Sequence, residues 1–254
     1  VRLSLREDAD TIVRKSIQKV LPDEAVAQAL RGKNFGKGKV YVVSVGKAAW
    51  QMAKAASDRL GSVIEAGVVV TKYGHAKGAI PRMECFEGGH PVPDSNSFIG
   101  TEAALDLVGS LRKEDTVLVL LSGGGSALFE KPLVTGAVLA DITGQLLACG
   151  ADIVEINTIR KRLSSVKGGK FAKMCAPATV FGIVLSDILG DPLDMIASGP
   201  ACPDSSTIRD ALSIAEKYKL DLSADVLELL HRETPKELDN VEMMVMGSVR
   251  NLCE

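Results

Sequence analysis

The sequence predicts an α/β fold, a doubly wound and mostly parallel sheet with helices on both faces, forming three layers. Three observations carry this. Short runs rich in β-branched residues, VYVVSV (Val40 to Val45), AGVVVT (Ala66 to Thr71), TVLVLLS (Thr116 to Ser122) and ATVFGIVLSD (Ala178 to Asp187), are apolar on both faces, as strands enclosed between helices must be. The stretches between them place apolar residues at helical spacing. The alternation of the two patterns along the chain favours parallel pairing through right-handed crossovers.

Each element follows in order. Ile12, Val13, Ile17 and Val20 fall on one face of a helix from Leu5 to Val20, and Asp23 is placed to cap a second helix ending at Leu30. The loop GKNFGKGK leads into the first strand, which ends at Gly46, and an Ala-rich helix runs from Lys47 to Leu60. After the second strand come a weaker strand at Met83 to Phe86, the loop GGHPVPD and a helix from Ser95 to Leu111. The strand TVLVLLS runs into SGGGS, with a helix expected to begin near Ser126. Helices are expected at Gly136 to Cys149, at Ala151 to Leu163 and, shorter, after Gly169. The strand ATVFGIVLSD, helices at Thr207 to Lys217 and Ala224 to His231, and a strand VEMMVMG at Val241 to Gly247 complete the pattern. The reading is of one main domain over residues 1–254, with 1–31 a helical lead-in and 241–254 the start of a link to a further domain.

The formal net charge is -2 and aromatic residues make up 4% of the chain, so neither a basic field nor a base-stacking platform points to nucleic acid. Five scattered cysteines without a CxxC pair suggest neither zinc nor a disulfide framework and suit a reducing cytoplasm. The charged N-terminal stretch lacks an apolar signal core, and no apolar run reaches the roughly 18 residues a membrane span needs. No membrane or nucleic-acid partner is expected. Oligomeric state is open, a homodimer included.

In a doubly wound sheet, ligands sit at the carboxyl ends of the strands. Three segments occupy such ends: Gly46–Lys47, Ser122 to Ser126, and SDILGD from Ser186 to Asp191. In SGGGS, Gly123, Gly124 and Gly125 remove every Cβ between Ser122 and Ser126, so backbone N–H groups can approach a phosphate. Lys47 opens a helix after a buried strand, where an ammonium can neutralise charge on a transferring phosphoryl group. Asp187 and Asp191 suit oxygen ligation of Mg2+, and Asp187 also suits acceptance of a substrate hydroxyl proton; Asp194 and Asp204 are read as turn residues. His90 is held between glycine and proline. Asn157, Arg160 and Lys161, with Ser164 and Lys167 close by, form a cationic cluster for a carboxylate or phosphate. There is no Walker motif, no dinucleotide fingerprint and no protein-kinase catalytic loop.

At these residues the chain resembles the class II glycerate kinases, the glycerate 2-kinases built from a DUF4147 domain and a smaller MOFRL domain. VSVGKAAWQMA, GGHPVPDSNS, LLSGGGSAL, EINTIRKRLSSVKGGK and LSDILGDPLDMIASGPACPD follow the family's order over nearly the whole chain. Ala201 and Cys202 depart from it, standing where members often carry a hydroxyl residue. The resemblance implies ATP- and Mg2+-dependent phosphorylation of D-glycerate to 2-phosphoglycerate. It implies Lys47 and Asp187 as catalytic residues and Asp187 with Asp191 at the metal. Ser122, Gly123, Gly124, Gly125 and Ser126 would hold the nucleotide, and His90, Asn157, Arg160 and Lys167 would face the substrate. A competing reading is an NAD(P)H-dependent hydroxypyruvate reductase, against which the missing dinucleotide fingerprint counts; another is a ligand-binding fragment without catalysis.

Overall fold

The computed structural model describes residues 4–19, 21–186, 190 and 192–247. Its centre is a six-stranded sheet of β1 (Val40–Val45), β2 (Ile64–Lys72), β3 (Met83–Gly88), β4 (Thr116–Leu121), β5 (Thr179–Leu185) and β6 (Val241–Gly247). The order is β3-β2-β1-β4-β5-β6, with every neighbouring pair parallel. The chain thus winds outward from β1 in one direction and from β4 in the other. The crevice between those two tips is where such sheets hold ligands.

Strand periodicity sends alternate residues to opposite layers. Val40, Val42, Leu118, Leu120, Phe181 and Ile183 meet Val26, Leu30, Met52 and Ala56 of the layer built by α2 (Pro22–Ala29), its C-terminal turn and α3 (Ala49–Leu60). Val43, Val45, Val117, Val119 and Leu121 meet Ala104 and Val108 of α4 (Ser95–Val108), together with Phe129 and with Phe171 of α8 (Lys170–Met174). Each such fully buried Val or Leu contributes roughly 1.5–3 kcal/mol, so the apolar runs that announce the strands also stabilise the sandwich.

Beside the sheet, α6 (Gly136–Ala148), α7 (Ile153–Leu163), α9 (Ile208–Lys217) and α10 (Ala224–Leu230) close a second core around Leu139, Leu146, Ile159, Leu163, Ile214 and Leu230. Capping boxes fix the starts of α4 at Asp94 and Ser97, of α7 at Asp152 and Glu155, and of α9 at Thr207 and Asp210.

Some boundaries differ from expectation for local reasons. α2 starts at Pro22 behind Leu21, not after Asp23, because the fixed φ of proline suits the first helical position. The helix expected near Ser126 is a single turn, α5 (Gly125–Leu128), so its end lends the loop little dipole. α1 (Leu5–Lys19) leaves Leu5, Ile12, Val13 and Ile17 exposed, whereas α2 joins the core. Among the described residues no helix is long and apolar enough to cross a membrane.

Candidate active site at the strand-order switch

The tips of β1 and β4 are tied together. Ser122 N donates to Val45 O at 2.9 Å, Lys47 N donates to Gly123 O at 2.9 Å, and Ala48 N donates to Ser122 Oγ at 3.1 Å. Gly46 makes this approach possible: at φ +118°, a Cβ there would lie 2.3 Å from Ser122 Oγ and 2.4 Å from Ser122 O. From β2, Thr71 Oγ1 donates to Gly46 O at 2.9 Å, and His75 Nδ1 lies 2.8 Å from Lys47 O. A carbonyl only accepts, so His75 carries its proton on Nδ1 and braces Lys47 from behind.

The middle glycine of SGGGS is the point of convergence. At Gly124, φ is +86°, and a Cβ would lie 2.9 Å from His90 Cδ2, 3.0 Å from His90 Nε2 and 3.2 Å from Lys47 Cγ. Strand tips β1, β3 and β4 therefore bring Lys47, His90 and the glycine loop into contact. Burial first, then the charges of Lys47, Lys72 and His75, lower the His90 pKa below its ordinary value. The shift favours the neutral imidazole in a mouth that also holds Lys47 and Lys72, an arrangement that favours a polyanion.

The other side of the loop rests on a left-handed turn. Ala197, Ser198 and Gly199 have φ of 52°, 60° and 63° in succession, and a Cβ on Gly125 would come within 2.6 Å of Ala197 Cβ. For residues with a side chain this conformation costs roughly 1–2 kcal/mol each, and such outliers concentrate at functional sites. Ser198 is wholly buried, with Oγ 2.9 Å from Ser126 Oγ and donating to Asn157 Oδ1 on α7 at 3.0 Å.

Beneath the loop, Arg160 donates to Ser126 O at 3.1 Å and pairs with Glu130 at 3.3 Å. Lys167 Nζ donates to Ser126 O at 2.8 Å and Phe129 O at 2.9 Å, and stands 3.5 Å from Glu130. The side chains of Lys167 and Glu130 are both 0% exposed. Burial takes the Lys167 pKa down to about 8, with Glu130 opposing the shift. Two cations share one carboxylate, which leaves an excess of positive charge under the glycines. Glu130 Oε1 and Arg160 Nε are buried without a hydrogen-bond partner among the described residues.

Lys47, Ser122 to Ser126, His90, Asn157, Arg160 and Lys167 thus form one continuous constellation. Arg160 and Lys167, expected to face a substrate, reach the loop's carbonyls from below instead. Asp187 and Asp191 lie outside the described residues. Among the described residues no three His, Cys, Asp or Glu side chains gather as a metal site. Asp194 and Asp204 bind protein groups: Asp204 takes Lys161 at 2.9 Å, Thr234 at 2.8 Å and its own downstream Ser206 N at 3.1 Å, and Asp194 takes Ser205 at 2.9 Å. Sequence reasoning missed His75, Glu130 and Ser198. The strand-tip rule that selects Lys47 would also select His75, in KYGHAKG directly after β2.

A family model described as "Domain of unknown function (DUF4147)" matches residues 8–231. The chain belongs to the DUF4147 family. This DUF4147 chain is 53% identical over 253 residues to the D-glycerate 2-kinase of Thermotoga maritima, covering 99% of this chain and 60% of that protein. It is 41% identical over 277 residues to the glycerate 2-kinase of Pyrococcus horikoshii, covering 100% and 62%. A crystal structure of glycerate kinase from Thermotoga maritima superposes with a TM-score of 0.94 at 53% identity, over 98% of this chain and 60% of that one. The chain spans less than two thirds of the length of these relatives.

Proposed function

We propose that this DUF4147 chain holds the reacting groups of a cytoplasmic glycerate kinase, which transfers the terminal phosphoryl group of ATP to the 2-hydroxyl of D-glycerate. The observation that carries the reading is the convergence of Lys47 and His90 on Gly124 where the strand order reverses. Its similarity to proteins named glycerate 2-kinase supports the choice of substrate.

In this reading the backbone of Gly123 to Gly125 cradles the nucleotide phosphates, free of side chains that would hold them away. Lys47 neutralises charge on the phosphoryl group as the alcohol oxygen forms its bond to phosphorus and the bond to ADP breaks. Arg160 and Lys167 keep the loop in position by anchoring the Ser126 and Phe129 carbonyls, and their shared excess charge adds to the anion field. Asp187 is the proposed acceptor of the hydroxyl proton. Mg2+ typically needs only one or two carboxylates besides substrate phosphates, so Asp187 and Asp191 are the proposed holders. Bound there, the ion would offset phosphate charge.

A coupled assay on the complete protein tests this. ADP release that requires both ATP and glycerate is expected. NADH oxidation with hydroxypyruvate, in the absence of glycerate-dependent ADP release, would establish the reductase instead.

A further inference from the structure

Ser126 sits at the junction of the glycine loop and the left-handed turn, and the direction of its hydrogen bond can be deduced. Asn157 Nδ2 lies 3.5 Å from Met195 Sδ, and its Oδ1 lies 3.0 Å from Ser198 Oγ. A thioether sulfur accepts weakly and never donates, so the amide nitrogen belongs beside the sulfur and the amide oxygen beside Ser198. An amide oxygen has no hydrogen to give. The single hydroxyl hydrogen of Ser198 is therefore spent on Asn157.

The two serine oxygens are 2.9 Å apart. At that separation one hydrogen must lie between them, and Ser198 has none left, so Ser126 supplies it. The order is Ser126 O–H to Ser198 O–H to Asn157 Oδ1, with each hydroxyl donating once. Ser126 cannot easily swing out of this chain: its carbonyl is held by Arg160 at 3.1 Å and Lys167 at 2.8 Å, and Ser198 is fully buried in a backbone conformation closed against Gly125. With its hydrogen committed, the half-buried Ser126 Oγ offers a ligand only lone pairs.

We infer that Ser126 is a fixed hydrogen-bond acceptor for the alcohol substrate, kept in that state by Ser198 and Asn157 as positioning residues. This rests on the kinase reading and refines it. A phosphate oxygen at neutral pH brings lone pairs of its own and is repelled, whereas a substrate hydroxyl arrives with a hydrogen to donate. Ser126 consequently leaves the phosphate side, where the glycine-loop reading puts it, and faces the hydroxy acid. The reacting hydroxyl passes its hydrogen to Asp187 in the proposed reaction, so the hydroxyl that donates to Ser126 is a non-reacting one of the substrate.

Kinetics of the complete protein with glycerate and ATP varied in turn, together with calorimetric ATP binding, test the relay. For Ser126→Ala the glycerate KM should rise about tenfold, the loss of one ligand hydrogen bond, while the ATP Kd stays within about twofold of wild type. Ser198→Ala frees the Ser126 hydrogen and should give the same pattern. At Asn157, aspartate keeps an acceptor at the end of the chain and should retain a glycerate KM within about threefold of wild type; leucine removes it and should match Ser198→Ala. A tenfold weaker ATP Kd in Ser126→Ala with an unchanged glycerate KM would make Ser126 a phosphate donor and overturn the inference. Equal behaviour of Asn157→Asp and Asn157→Leu overturns it as well. Absence of glycerate-dependent ADP release in the wild-type protein sinks the kinase reading itself, a result separable from either of these.

Discussion

Replacing Gly124 with alanine probes the point on which the site converges. The backbone there is left-handed at φ +86°, which costs an L-residue roughly 1–2 kcal/mol. The new methyl would lie 2.9 Å from His90 Cδ2 and 3.2 Å from Lys47 Cγ. Comfortable carbon contacts are about 3.5–4.0 Å, so both side chains must retreat by several tenths of an ångström. A misplacement of about 1 Å at reacting groups costs about 100-fold in rate, so turnover should fall between about 10- and 100-fold while the protein loses only about 1–2 kcal/mol. Urea unfolding and ADP-coupled turnover measure the two effects separately. Gly144→Ala is the control: nothing lies within 4 Å of its added Cβ. In helix α6 it should stabilise by about 0.4–1 kcal/mol with normal turnover. Wild-type turnover in Gly124→Ala, or a turnover loss no larger than its loss of folded protein, would refute the proposal that the convergence of Lys47 and His90 on Gly124 marks the reacting site.

Three further outcomes are expected. Lys47→Ala should lower kcat about 1,000-fold, read by ADP release, with its unfolding midpoint little changed. Asp204→Ala strands Lys161 and Arg162, both 1% exposed, and should cost about 3–5 kcal/mol in urea unfolding. Burial lowers the Lys170 pKa from 10.5 to about 8; the unfolded chain then holds the proton to higher pH than the folded one, so this group makes stability rise as pH climbs from about 8 to 10.5. Lys170→Met should flatten that rise in urea titrations across the window, leaving the parallel contribution of Lys167.

The strands were legible because burial on both faces leaves an unbroken apolar run, and VYVVSV, TVLVLL and VEMMVMG begin and end within a residue of where they were read. Helix ends were less so, since Pro22 and the four-residue α5 are decided by local backbone geometry that periodicity does not encode. For the site, strand-end position selected Lys47 and the glycines. That rule is blind to what happens beneath a loop: in sequence Arg160 and Lys167 read as a cationic cluster for a ligand's carboxylate or phosphate, and only the buried Glu130 shows why they point inward. Ser198 was hidden for a related reason. Nothing in ASGP marks a left-handed turn at Ala and Ser, a conformation that packing against Gly125 imposes.

The join between the β1 and β4 tips also sets when the crevice can exist. Ala48 and Ser122 meet across 74 positions of chain, and loop-closure entropy of that order must be overcome before the pairing returns any stability. Local helices and the β1–β2 unit can form early in refolding. Competence to bind nucleotide should emerge last, in step with burial of β4, and a helix-sensitive signal should recover ahead of it.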